Sequence, residues 1–375
     1  MVRFLHTADW QMGMKAVHTG EKAKEIRNIR FETANRIVDL AHKQDLDFVV
    51  IAGDTFEHQD VDDVIVKKTV DILNSFDPIP VYILPGNHDP YTIGGIWDRD
   101  SWERIGSHVK LLTESSEIQH GENVALYPCP LKQKQSHLDP TSWIPPRIEG
   151  DERIRIGIAH GALDILPDES NFPIDQARPD LSDLDYLALG DWHSYLSSGK
   201  AAYSGTMEPT GFGERDSGNV LIVTINKAGS IPEIESVQTN ILKWVALLPE
   251  ISDATDVENL DERVKNSKPL ESLILRISPS LSSSVEGRVM QRLETLKDEL
   301  EEQVFYLEWN DPDVIPFDEQ MSASLPDGVI QQSDETLAEI LGGRIPHGTG
   351  REYAQFDQAV VQTARLFLHR FAGGK

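Results

Sequence analysis

The sequence predicts an α/β protein: two β-sheets packed face to face, with helices on their outer sides, followed by a smaller α/β unit and helical segments at the carboxyl end. Three observations predict it. Short, wholly apolar runs alternate with amphipathic helical patterns through the first hundred residues, the signature of parallel strands joined by crossover helices. Strand patterns then dominate to about residue 240 while helical periodicity becomes scarce, which favours a second sheet over further helix-covered strands. A fresh β-α-β-α-β pattern begins near residue 241, long enough for a separate small domain.

In order, "RFLHTADW" reads as a strand closing on Asp9 and Trp10, and residues 21–44 place Ile26, Ile29, Ile37, Leu40 and Ala41 at helical spacing. "DFVVIAGD" is an apolar strand ending at Asp54, "VDDVIVKKTVDILNSF" is helical, and "PVYILPGNHD" is another buried strand. Further strands are expected in "KLLTES", "ENVALYPCPL", "RIRIGIAHG", "YLALGDWHS" and "AAYSGT", with "NVLIVTIN" and "IPEIESVQ" as a hairpin. Beyond them come the strand "KWVALLPEI", the helix "DVENLDERVKNS", the strand "LILRISPS", the helix "VEGRVMQRLETLKDELEEQ" and the strand "VFYLEWND". "NDPDVIPFDEQMSASLPDG" reads as a linker, and "SDETLAEILGG" and "REYAQFDQAVVQTARLFLHRF" as helices. The expected domains are therefore 1–240, 241–310 and 311–375.

Composition narrows the function. The 375 residues are 39% hydrophobic and 26% charged, an ordinary globular balance. The single Cys129 can form neither an internal disulfide nor a thiolate metal cluster, and together with the lack of an apolar leader and of any run near the roughly 18 apolar residues of a membrane span it sets the expectation of a cytoplasmic protein without membrane contact. Sixty-two acidic against 35 basic residues give a formal charge of -27, the wrong sign for a free-standing binder of phosphate backbones. A small substrate, metal ions that invert the local potential, or a basic partner remain open.

Each buried strand of the first domain ends in a side chain able to bind metal: Asp9 and Gln11, then Asp54, then Asn87, His88 and Asp89, then His160, then Asp191 and His193. Singly these have plain explanations. Asn87 and Asp89 suit a turn after Gly86, Asp54 suits a helix cap, and His160 suits a satisfied core histidine. Together they would crowd one edge with oxygens and imidazoles, which is costly unless cations neutralise them.

The ordered set "HTADWQMG", "AGD", "GNHD", "IAHG" and "LGDWH" resembles the calcineurin-like metallophosphoesterases from residue 3 to about 240. With "YILPGNHDP" and "YSGTMEP" it is similar to the SbcD-type DNA repair exonucleases, nuclease subunits that work with an SMC-like coiled-coil ATPase. Gln11 stands where that family usually has His, and Asp191 where its "GHxH" has the first His. The resemblance implies a four-layer sandwich of two central sheets flanked by helices, a capping domain over 241–310, and an ATPase-binding region after it. It implies one divalent metal held by Asp9, Gln11, Asp54 and His193 and a second held by Asp54, Asn87, His160 and Asp191. That oxygen-rich set points to Mn²⁺ or Mg²⁺ over Zn²⁺. A water shared by the two ions would attack phosphorus in line. By the same resemblance His88 is the catalytic residue that stabilises the transition state and helps protonate the leaving oxygen; Asp89 either orients His88 or makes a turn hydrogen bond to backbone. His6 and His58 stay outside the set, His6 as a packed strand residue.

The implied activity is double-strand exonuclease and single-strand endonuclease action on DNA, as a homodimer through "VIVKKTVDIL", with the ATPase docked on "FDQAVVQTARLFLHRF". No Lys/Arg run supports nucleic-acid binding. Two other readings stand beside it: a phosphoesterase acting on nucleotides, small phosphodiesters or phosphoproteins, and a non-catalytic adaptor whose altered ligands have ended metal chemistry.

Overall fold

The computed structural model describes residues 1–166, 171–282, 285, 287–314, 328–341, 361, 364, 365 and 368. The chain divides into two compact units, Met1–Lys243 and Trp244–Lys375.

The first unit is built on two six-stranded sheets. The first contains β1 (Val2–Thr7), β2 (Phe48–Ala52), β3 (Val81–Leu84), β4 (Val109–Leu111), β11 (Asn219–Ile225) and β12 (Glu233–Gln238), in the order β12-β11-β1-β2-β3-β4. Strands β1 to β4 run parallel, with Phe4 opposite Phe48 and Val49 opposite Val81. The hairpin β11-β12 adds two antiparallel strands at the β1 edge. The second sheet contains β5 (Ile118–His120), β6 (Val124–Cys129), β7 (Ile154–His160), β8 (Tyr186–Gly190), β9 (Leu196–Ser198) and β10 (Ala201–Tyr203), in the order β5-β6-β7-β8-β10-β9. Its β6, β7, β8 and β10 are parallel.

Alternation along the strands sorts the core into layers. Phe4, Phe48, Val50, Tyr82 and Leu84 face the second sheet and pack on Leu126, Ile156, Ile158, Tyr186 and Ala188. Phe4 and Phe48 stack with centroids 4.8 Å apart, a pairing fixed by their register. Leu5, Val49, Ile51 and Ile83 face the other way, onto α1 (Ala23–Lys43) and α2 (Asp63–Asn74). On α1 the buried positions include Ile26, Ile29, Ala34, Ile37 and Ala41, the stripe that the sequence predicts. The outer face of the second sheet is covered by Ile144, Leu163, Ile174 and Leu184 from its connecting segments and by the one-turn α3 (Arg178–Leu181). This matches the scarcity of helical periodicity in that half.

In the second unit, β13 (Lys243–Leu247), β15 (Leu273–Ile277) and β17 (Tyr306–Trp309) form one sheet, and β14 (Glu250–Ile251), β16 (Ser280–Leu281) and β18 (Asp313–Val314) another. Helix α4 (Ala254–Lys265) starts in a capping box made by Asp253 and Asp256. It packs with α5 (Gly287–Gln303) through Val257, Leu260, Leu293 and Leu296. One expectation needs correcting. The segment read as a linker begins as strand: Asp313 and Val314 pair with Ser280 and Leu281, because two residues of pairing are too few to leave an alternating pattern. Its continuation and most of "REYAQFDQAVVQTARLFLHRF" lie outside the described residues, whereas α6 (Val329–Leu341) contains the helix expected at "SDETLAEIL".

Candidate metal centre

The carboxyl ends of β1, β2 and β3 lie on one edge because those strands are parallel, and β7 and β8 bring their own carboxyl ends to the same place. The two edges are tied directly: His160 Nδ1 lies 2.9 Å from the carbonyl of Ala52, the last residue of β2. Beyond the last ladder positions the chain leaves extended geometry. Asp9, Gln11, Asp54 and Asp191 all have positive φ, at 52°, 46°, 49° and 104°. For non-glycine residues this is an unfavourable conformation that persists only where surrounding contacts impose it. Here they do. The loops after β1 and β2 are zipped together by Asp9 N–H to Gly53 carbonyl at 3.1 Å, Gln11 N–H to Asp54 carbonyl at 3.0 Å, and Met12 N–H to Thr55 carbonyl at 2.9 Å.

Two glycines permit the close approach. A Cβ at Gly53 would sit 2.1 Å from His160 Nδ1, and one at Gly86 would sit 2.2 Å from Asp54 Oδ1 and 2.4 Å from the Asp54 nitrogen. Every other side chain is excluded at both positions.

Donor atoms of Asp9, Asp54 and His160 lie within 4.8 Å of one another, and all three residues are buried. His160 gives its Nδ1 proton to Ala52, so its Nε2 faces oxygens alone: Asn87 Oδ1 at 2.8 Å, Asp54 Oδ1 at 3.4 Å and Asp191 Oδ1 at 3.6 Å. Gln11 Nε2 donates to Asp54 Oδ2 at 3.0 Å, while Gln11 Oε1 is buried without a hydrogen-bond partner. A buried acceptor with no donor is costly, and so are several buried oxygens gathered round a single imidazole nitrogen. Both defects vanish if cations lie among these atoms. The residues present therefore fit a divalent metal centre, through an orphaned amide oxygen as well as through the carboxylates.

The ionisation of the cluster says the same. Burial pushes Asp9 up to about 6 against the pull of His160 and His193, and burial also raises Asp191. Asp54 is held below its ordinary value in spite of burial by the charge and hydrogen bond of His160. His160 is itself lifted well above its ordinary value because Asp54, Asp9 and Asp191 outweigh its desolvation. Three carboxylates compete for little positive charge, the pattern expected of a site for cations.

Around this cluster His88 is exposed, with its backbone N–H on Asp54 Oδ1 at 2.9 Å and its Nδ1 2.8 Å from the Glu57 carbonyl. Of the two contacts expected of Asp89, orienting His88 or a turn hydrogen bond to backbone, the structure shows the second. Asp89 is fully buried and accepts from the backbone N–H groups of Phe56 at 2.9 Å and Gly86 at 2.7 Å; burial and the neighbouring Asp54 raise its carboxyl to about 7. The ring of His88 is oriented by the Glu57 carbonyl instead.

His6 is packed as expected. It is fully buried between Tyr186 hydroxyl at 2.9 Å and Leu189 carbonyl at 3.1 Å, and burial lowers it to about 3. His58 accepts from Asp60 N–H in a turn.

Two residues near the site carry no signal in the sequence. Arg30 of α1 is fully buried and donates to the Trp10 carbonyl at 3.0 and 2.8 Å, the Glu208 carbonyl at 2.8 Å and Thr206 Oγ1 at 3.1 Å, so it clasps the Asp9 loop to the segment after β10. Glu214 Oε1 lies 2.7 Å from His193 Nδ1. That contact, with the charge of Asp9, lifts His193 to about 9 in spite of its desolvation.

Residues 2–205 match the calcineurin-like phosphoesterase family. The chain belongs to that family. Its members are hydrolases of phosphate esters that use divalent metals, and the cluster of Asp9, Asp54 and His160 stands where such metals would be held. Over 362 residues the chain is 22% identical to the DNA double-strand break repair protein Mre11 of Methanosarcina acetivorans, a match covering 87% of this chain and 56% of that protein. The chain thus spans little more than half the length of this relative. A solved structure from Staphylococcus aureus, named as a 5′-nucleotidase in complex with alpha-ketoglutarate, is similar at 14% identity and a TM-score of 0.42, over 63% of this chain and 54% of that one. Among the described residues no helix is long and apolar enough to cross a membrane.

Proposed function

We propose that this phosphoesterase is a DNA nuclease, acting as a double-strand exonuclease and single-strand endonuclease in the processing of DNA ends. The observation that carries the metal chemistry is the orphaned oxygen of Gln11, whose amide nitrogen is bonded to Asp54, together with the buried cluster of Asp9, Asp54 and His160. The choice of DNA is supported by the likeness to Mre11 over most of the chain.

In this reading Asp9, Gln11, Asp54 and His193 would hold one divalent ion, and Asp54, Asn87, His160 and Asp191 would hold a second. The ions, Mn²⁺ or Mg²⁺ by the hardness of the donor set, supply the activation of water and the neutralisation of charge on the phosphoryl oxygens. Asp54, common to both sets, would be shared by the two ions, and its position is fixed by the His88 N–H and by Gln11 Nε2. Ala52 holds the proton of His160 on Nδ1, leaving Nε2 directed at the site. His88, exposed at the mouth and held through Nδ1 by the Glu57 carbonyl, presents Nε2 to the scissile phosphate, where it stabilises the crowded phosphoryl group and passes a proton to the leaving oxygen. Asp89 keeps the loop of Gly86 to His88 against Phe56.

The same reading makes residues 241–310 a cap and residues 311–375 the region that binds an SMC-like coiled-coil ATPase, and the chain a cytoplasmic homodimer. A basic partner would offset the charge of -27. That charge is also the observation favouring a second reading, a phosphoesterase of nucleotides or small phosphodiesters. Incubation with Mn²⁺ and end-labelled duplex DNA, single-stranded DNA, nucleotides and p-nitrophenyl phosphodiesters in parallel separates the two. Shortening of both DNA substrates, lost in His88→Ala, supports the nuclease; turnover of small esters with intact DNA ends supports the other.

A further inference from the structure

His160 and His193 are backed differently. His160 gives Nδ1 to a neutral backbone carbonyl, that of Ala52. His193 gives Nδ1 to a carboxylate, Glu214 Oε1 at 2.7 Å. That carboxylate is fixed by its own loop: Thr210 N–H donates to Glu214 Oε2 at 2.7 Å and the Thr210 hydroxyl donates to Oε1. Thr210 Oγ1 also lies 3.2 Å from His193 Nδ1. Both carboxylate oxygens are thereby committed, and Nε2 is the ring nitrogen of His193 that remains for a metal to displace a proton from.

Both proposed sets hold two carboxylates, one amide and one imidazole, and the asymmetry falls at the set in which the amide replaces an imidazole of the resembling family. His193 shares its proposed ion with Gln11, a neutral amide standing where the resembling nucleases carry a second imidazole. We infer that Glu214 is a positioning residue for the first metal site: it fixes the His193 ring through Nδ1, which leaves Nε2 as the nitrogen able to ligate, and places behind that ring a negative charge that makes up for the weaker donor at Gln11. A carboxylate behind a ligating imidazole raises its basicity, and loss of such a partner costs about 10- to 100-fold in metal affinity. At the second site Asn87 and Asp191 bring the ring of His160 no such partner.

The inference rests on the two-ion reading, and one experiment tests the two separately. Mn²⁺ is titrated calorimetrically into the full chain and into Glu214→Gln, which keeps the shape of the side chain and removes its charge, with thermal melting recorded in EDTA. Two binding steps in the wild type, a loss of about 10- to 100-fold confined to one step in Glu214→Gln, and an unchanged melt support the inference. In a Gln11→His background the same substitution should cost several-fold less. Thr210→Val, which removes the hydroxyl bond to Oε1 and keeps the backbone bond to Oε2, should weaken the same step by a few fold. Two unaltered steps in Glu214→Gln, or both steps weakened together with a lowered melt, overturn the inference and leave the two-ion reading standing. A wild type that binds fewer than two ions overturns that reading, and the inference with it.

Discussion

His6 and His160 lie at two depths of the same sandwich, and they behave as opposites. His6, three residues before Asp9 on β1, sits between a tyrosine hydroxyl and a backbone carbonyl and stays neutral down to about pH 3. His160, at the end of β7, is equally buried, yet its affinity for a proton is raised well above normal. Desolvation acts on both. The difference is the set of carboxylates gathered round His160 at the strand ends, whereas His6 meets a hydroxyl and a backbone carbonyl. Burial thus makes the middle a place where charge is refused, and the rim, with Asp9, Asp54 and Asp191 close together, a place where positive charge is demanded.

The sharpest way to test the rim is at its mouth. His88→Ala removes the exposed imidazole but neither the Asp54 contact of its backbone N–H nor any proposed ligand, so turnover should fall about 10²- to 10⁴-fold while Mn²⁺ binding by calorimetry stays unchanged. Loss of metal binding in parallel would show that His88 belongs to the cluster itself.

Gly86→Ala attacks the rim through its packing. The added methyl would lie 2.2 Å from Asp54 Oδ1 and 2.4 Å from the Asp54 nitrogen, so the loops must part. We expect about 3 kcal/mol of lost stability in denaturant titrations, together with loss of Mn²⁺ binding; an unaltered unfolding midpoint would break the claim that the two loops are locked.

Asp89→Asn should cost about 1–3 kcal/mol, because an amide can serve only one of the two N–H groups of Phe56 and Gly86 that the carboxylate accepts. Its kcat should fall less than that of His88→Ala. A deficit equal to that of His88→Ala, with full stability, would return Asp89 to the catalytic group.

The middle of the sandwich gives the smallest and most specific effect. The folded pKa of His6, about 3, lies below the unfolded value of 6.5, so the unfolded chain takes up the proton first. The stability His6 provides is complete above pH 6.5 and is lost as pH falls toward 3. His6→Asn lacks this dependence. Between pH 6.5 and 5 the stability gap between wild type and variant should narrow by about 2 kcal/mol, at roughly 1.36 kcal/mol per unit. Parallel pH curves for the two proteins would mean that His6 is not held neutral.

This contrast was partly legible in the sequence. Apolar runs ending in polar residues placed Asp9, Asp54, Asn87, His160 and Asp191 at strand ends, and α1 and α2 followed from their helical stripes, since both patterns are local. The direction of Asp89 was not legible, because a residue after "GNH" can turn toward its neighbour or toward the backbone of a loop some thirty positions away, and only the approach of Phe56 decides. Arg30 occupies a polar position on a helix and is buried by contacts to residues 206 and 208, which no periodicity records. Glu214 lies 21 positions beyond His193 in a glycine-containing loop, and only the folded path brings its carboxylate to the ring. The pairing of β18 was too short to leave a pattern.

The central claim is that the rim demands two divalent cations joined through Asp54. Anomalous diffraction from crystals soaked in Mn²⁺ tests it most directly. The account predicts two peaks per chain about 3.5–4 Å apart, with Asp54 touching both and Gln11 Oε1 touching the one nearer His193. A single peak near His160, or none, with Gln11 Oε1 turned away from Asp9 and Asp54, would contradict it.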